Sequence, residues 1–153
     1  MLEVAMCDDA PLFSNGLELY VKRFMQQFFP QEVTGLTWRL TRYNQLEQLL
    51  KRPTAPDLLL LDVAFSGPDD GLLAGLALRT RWPDMALLFV SSMERYVGRG
   101  YECGALGYVI KRDVRNTFFR PCSVPCSGYS ACAATNAAIS GWNLSSTAKA
   151  ATF

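Results

Sequence analysis

The hydrophobic positions of this chain fall into short, dense runs separated by longer amphipathic stretches. Leu2 to Cys7 is the first such run. Pro11 and Ser14 then open an amphipathic helix whose apolar face is expected from Leu12, Leu17, Leu19, Val21, Phe24, Met25 and Phe28, with Pro30 ending it. Leu36 to Tyr43 alternates in the manner of a strand near a sheet edge. Asn44 is placed to cap a short helix carrying Leu46, Leu49 and Leu50, which Pro53 and Pro56 stop. Leu58 to Leu61, four leucines closed by Asp62, lacks polar alternation and predicts a central strand covered on both faces. Ser66 to Gly71 is turn-rich, and Leu72 to Trp82 predicts a helix ended by Pro83. Met85 to Ser91 follows as a strand, Tyr96 to Cys103 as a helix and Gly107 to Ile110 as a last strand. Five alternations at this spacing argue an α/β fold with a doubly wound, five-stranded parallel sheet.

The polar residues that close these runs change the picture. Asp8 and Asp9 follow the first strand, Asp62 the central one, Ser91 the next and Lys111 the last. A lone Asp after a strand is usually a turn former or helix cap. Here four runs each deliver a polar group at the same end, and open α/β sheets hold ligands at the carboxyl edge of their strands.

Composition narrows the chemistry. The chain has 153 residues, half of them hydrophobic, and a net charge of +1, which suits one ordinary globular domain rather than a basic nucleic-acid binder. No apolar stretch approaches the ~20 residues of a membrane span, and MLEVAMCDD has no basic region of the signal-peptide kind. A cytoplasmic location is expected, where five cysteines do not imply disulfides. There is no His, so the commonest general base and transition-metal ligand are missing. Converging carboxylates repel one another or demand a counter-ion, and with oxygen ligands alone that ion is Mg²⁺. With Lys111 as a second positive centre, the set can neutralise an incoming phosphoryl group, Asp62 serving as nucleophile and Ser91 as a hydroxyl donor.

In residues and order, the segments CDDAPLF, DLLLLDV, FVSS and GYECGALGYVIK resemble the receiver domain of two-component response regulators, over Leu2 to Lys111. RYVGRGYE and the segment after it are most similar to regulators with a LytTR-type DNA-binding output. The resemblance implies a flavodoxin-like receiver fold over residues 1–112. It makes Asp62 the phosphoacceptor and Asp8 and Asp9 the Mg²⁺ ligands, with the Ala64 carbonyl joining them. Ser91 and Tyr108 become a switch pair, and Lys111 contacts the phosphoryl group. From the residue alone, Tyr108 reads equally as a half-buried strand aromatic. The implied partner is a sensor histidine kinase, with a receiver homodimer as a further option. The implied role is that of a phosphoacceptor with at most slow autophosphorylation and dephosphorylation rather than an enzyme. Two other readings stay open: a truncated remnant without output, and a Mg²⁺-dependent phosphatase. Ala64, where such phosphatases carry a second acid, speaks against the latter. Arg and Lys in the first 112 positions are scattered among acids, so this chain is not expected to contact DNA.

The resemblance stops after Lys111. Arg112 stands where the family usually carries Pro, and residues 113–153 offer no amphipathic final helix. From Asn116 onward Ala, Ser and Thr make up 18 of 38 residues, without any acid. Cys122, Cys126 and Cys132 lack the spacing and the fourth ligand of a zinc site. The segment is expected to be disordered or poorly packed, and it reads as a shifted frame. If one C is restored after the Lys111 codon, and Arg112 is a CGN codon, the next residue becomes Pro. A Leu-, Ala- and Arg-rich helical run and a basic linker can then follow. Sequencing the coding DNA checks this. A single-base restoration should reopen a helical frame, and a coding sequence that no such change reopens would end the idea.

Overall fold

The computed structural model describes residues 1–28, 35, 37–65, 67 and 70–115. Five strands form one parallel sheet: β1 (Leu2–Cys7), β2 (Trp38–Tyr43), β3 (Leu58–Leu61), β4 (Ala86–Ser91) and β5 (Gly107–Ile110). The helices are α1 (Pro11–Phe28), α2 (Leu46–Leu50), α3 (Asp70–Arg81) and α4 (Val97–Glu102), with short 3₁₀ turns at Glu94–Tyr96 and Lys111–Asp113. The strand order is β2-β1-β3-β4-β5. The chain therefore winds outward from β1 in one direction and from β3 in the other, and β1 and β3 flank the point of reversal. Crevices at such points are where open α/β sheets receive ligands.

Each central strand is buried on both faces, as continuous apolar runs require. Ala5, Cys7, Leu59, Leu61, Leu87, Phe89 and Tyr108 pack on one side with Leu49 of α2 and Leu72 and Leu78 of α3. Val4, Met6, Leu60, Leu88, Val90 and Val109 pack on the other with Leu17, Val21, Phe24 and Met25 of α1. Burying each Val, Leu, Phe or Met side chain among these contributes roughly 1.5–3 kcal/mol before entropy is counted. Val114 is also buried in this second cluster, so the core runs past Arg112.

Several boundaries differ from the sequence expectations. Leu12 and Leu19 are 90% and 60% exposed instead of facing the core. At 100° per residue they lie nearly opposite the Leu17–Val21–Phe24 stripe, and buried Ser14 takes a place on that stripe. Gln45, rather than Asn44, is the N-cap of α2 and makes no side-chain cap bond. α3 starts at Asp70, so Gly71 belongs to the helix and not to the preceding loop. β4 starts one residue after Met85. The stretch expected as one helix from Tyr96 divides into a 3₁₀ turn and α4. Pro30, Leu36 and residues 116–153 lie outside the described residues.

Gly71 fixes where α3 docks. Its N–H donates to Val63 O at 2.8 Å, and a Cβ there would stand 1.9 Å from Asp62 O. Gly16, in the middle of α1, has nothing within 4 Å of an added Cβ. Gly71→Ala should therefore lower stability by about 1–3 kcal/mol through overpacking. Gly16→Ala should raise it by about 1 kcal/mol through helix propensity. Urea unfolding of the two variants measures both; equal effects would refute the assigned docking role of Gly71.

Candidate functional site

Strand register brings the acidic groups together. Cys7 pairs with Leu61 across the β1–β3 ladder, so the next residues, Asp8 and Asp62, leave the sheet side by side. The Asp62 N–H donates to Cys7 O at 3.0 Å and holds that alignment. Ser91 pairs with Ile110, which sends Lys111 out at the same edge. One carboxylate oxygen from each of Asp8, Asp9 and Asp62 lies within 4.8 Å of the other two, Asp9 being exposed and the others buried.

Lys111 Nζ sits between two of them. It donates to Asp62 Oδ2 at 2.6 Å and lies 2.7 Å from Asp8 Oδ2. Asp8 Oδ1 accepts from the Ala10 N–H at 2.8 Å, and Asp62 Oδ1 from the Ala64 N–H at 3.2 Å. Asp8 Oδ2 accepts no hydrogen bond of good geometry: its contact with the ammonium is an ion pair, and the directed bond goes to Asp62. A buried carboxylate oxygen with free acceptor capacity, beside two further carboxylates, suits a hard divalent cation with oxygen ligands.

Burial raises the Asp8 pKa above the usual carboxylate range, with the Asp62 charge adding to it, and the ion pair with Lys111 and the bond from the Ala10 N–H offset this only in part. For Lys111, burial disfavours the ammonium, yet the hydrogen bond to Asp62 and the ion pair with Asp8 outweigh it and its pKa rises. Burial and then the charges of Asp8, Asp9 and Asp62 push the Cys7 thiol up to about 12. The pocket thus has a strongly negative interior that one ammonium balances in part.

The remaining predicted residues meet at Met93. Ser91 is fully buried, and its Oγ accepts a long bond, 3.4 Å, from the Met93 N–H. Tyr108 is buried rather than half-buried, at 2% exposure, and its hydroxyl donates to Met93 O at 2.6 Å. Its ring lies beside Phe89, centroids 5.9 Å apart, beneath Gly100. Burial raises the phenol pKa, with the Ser91 hydroxyl opposing.

Two participants were not singled out from the sequence. Phe13, in the first turn of α1, places its ring centroid 4.4 Å from Lys111 Nζ. Met93 supplies both backbone partners of the Ser91–Tyr108 pair. The spacing of Phe13 from the acidic pair was visible in CDDAPLF, but an aromatic at that position reads as core. Backbone partners leave no mark on residue identity.

No family model matches the chain, and no curated protein does. Solved structures do. The beryllofluoride-activated DrrB receiver domain is 23% identical, with a TM-score of 0.56 over 72% of this chain and 85% of that one. Response regulator TrrA from Thermotoga maritima, a complex with Mg²⁺ and beryllofluoride, is 18% identical with a TM-score of 0.54 over 78% of this chain and 100% of that one. A LuxR-family DNA-binding response regulator from Silicibacter pomeroyi is 21% identical with a TM-score of 0.55, over 77% and 86%. Against the longer DrrB regulator of Thermotoga maritima, the chain spans 46% of that protein's length. The fold is the flavodoxin-like one of response-regulator receiver domains. Among the described residues, no helix is long and apolar enough to cross a membrane.

Because folding raises the Asp8 pKa, its stabilising contribution is present in acid and is lost as pH climbs through the folded-state value, above 3.8. Asp8→Asn removes that loss. In metal-free buffer at pH 7 the variant should be more stable by ~0.5–2 kcal/mol, the range of single relieving substitutions. The gain should vanish in acid. Urea titrations at both pH values check it, and a variant less stable at pH 7 would contradict the electrostatic account.

Proposed function

We propose that this protein is the phosphoacceptor receiver module of a two-component signalling system. It would accept a phosphoryl group on Asp62 from a phosphohistidine of a partner sensor kinase. The observation that carries the reading is the ammonium of Lys111 set between the buried carboxylates of Asp8 and Asp62, 2.7 and 2.6 Å away, at the reversal point of the sheet.

Asp8, Asp9 and Asp62 would hold Mg²⁺, with the Ala64 carbonyl as a further ligand. The ion supplies positive charge against the phosphoryl oxygens. The chain's own residues perform the rest. Asp62 is the nucleophile: its carboxylate oxygen attacks phosphorus, the P–N bond to the kinase histidine breaks, and an acyl phosphate forms. The Lys111 ammonium passes from the Asp62 oxygen to a phosphoryl oxygen, and the Ser91 hydroxyl donates to another. Drawing Ser91 toward the phosphoryl group shifts the Met93 backbone that also holds Tyr108, which gives the added charge a route to the α4 side of the fold.

Two of the similar structures are of receivers with beryllofluoride, one of them also with Mg²⁺, which supports the same chemistry here. At Ala64 the chain offers a backbone amide to Asp62 and no acid, which favours a phosphoacceptor over a phosphatase with turnover. A cytoplasmic site of action, receiver homodimerisation and descent from a LytTR-type transcriptional regulator complete the proposal.

Beryllofluoride with Mg²⁺ should raise the unfolding temperature, since a ligand that binds only the native state stabilises it by mass action. Acetyl phosphate should add one phosphoryl group, and Asp62→Ala should abolish both effects. Labelling that persists in Asp62→Ala would remove this residue from the mechanism.

A further inference from the structure

The Lys111 ammonium has a third partner besides the two carboxylates. Phe13 stands in the first turn of α1, is half-buried and packs against the α1-side core. Its ring centroid is 4.4 Å from Lys111 Nζ, well inside the ~6 Å reach of a cation–π contact. The ring is fixed on a helix, whereas the lysine stem is long and has many rotamers. Lys111 keeps a side-chain exposure of only 15%.

An aromatic face differs from a carboxylate in what it does to a cation. A carboxylate attracts the ammonium and cancels its charge. A ring attracts it through a quadrupole and leaves the full positive charge for another anion. In the proposed reaction, on which this inference rests for its functional half, Asp8 and Asp62 are both diverted, one to the metal and one to phosphorus. Phe13 is the partner that would stay with Lys111 throughout.

We infer that Phe13 is a positioning residue: its ring seats the Lys111 ammonium at the acidic pair and holds it there for the incoming phosphoryl oxygens. No proton moves and no bond to Phe13 forms. The ring acts by restricting where the ammonium can be.

The test begins in metal-free protein, without phosphoryl chemistry. Ring current should shift the Lys111 ε-methylene protons upfield in the NMR spectrum. Phe13→Leu, which keeps an apolar side chain of similar bulk, should abolish the shift, and Phe13→Trp should restore it. In the second stage, beryllofluoride affinity with Mg²⁺ should fall about 2–5-fold in Phe13→Leu and recover in Phe13→Trp, as expected for a cation–π contact of ~0.5–1 kcal/mol. An unshifted ε-methylene in the wild type overturns the seating. An affinity that drops equally in both variants, or in neither, overturns the positioning role. Wild-type protein that shows the shift and binds no beryllofluoride supports the seating but refutes Asp62 as phosphoacceptor, so the two failures are told apart. Circular dichroism of each variant confirms that the fold persists.

Discussion

The pairing of Cys7 with Leu61 is the constraint on which the rest of this molecule depends. Parallel strands advance in step, so a register fixed by buried side chains also fixes which residues leave the sheet together. A slip by one residue would turn Leu59 and Leu61 out of the α3-side core and separate Asp8 from Asp62. Hydrophobic packing thereby enforces a geometry that electrostatics alone resists, since two carboxylates within 4.8 Å repel each other. The core supplies the stability, and the edge of the sheet spends part of it on a pocket poised for positive charge.

Much of this was legible in the sequence because both signals are local. Runs without polar alternation marked β3 and β4, and the residues ending the runs marked Asp8, Asp62, Ser91 and Lys111. Where local reasoning failed, a competing three-dimensional term decided. Leu12 and Leu19 look like core residues by type, but helical geometry turns them away from the sheet. Gly71 reads as a loop residue by composition, yet the close approach of α3 to Asp62 O makes it a packing requirement inside the helix. Trp82, Pro83 and Met85 all belong to a turn whose backbone oxygens are tied down by Arg79, which donates to Pro83 O at 2.5 Å and Met85 O at 2.6 Å. Nothing in the spacing of those residues announces that clamp.

The site also illustrates how backbone and side chain divide the labour. Met93 holds Ser91 through its N–H and Tyr108 through its carbonyl, and any apolar side chain there would do the same. Sequence comparison sees the two side chains and misses the joint between them. Arg112, in the position where the resemblance leads one to expect proline, instead reaches Glu94 at 2.6 Å across the surface. Both groups are more than half exposed, so this tether between the loops after β4 and β5 contributes little to stability.

Cys7 carries a final consequence. It precedes Asp8 at the end of β1 and is 1% exposed, and burial first, then the charges of Asp8, Asp9 and Asp62, push its pKa up to about 12. A thiol so protonated and so enclosed offers peroxides and electrophiles almost no thiolate to attack. Burial in the core, with the negative potential that recruits a cation adding to it, therefore keeps this one thiol out of reach of oxidants.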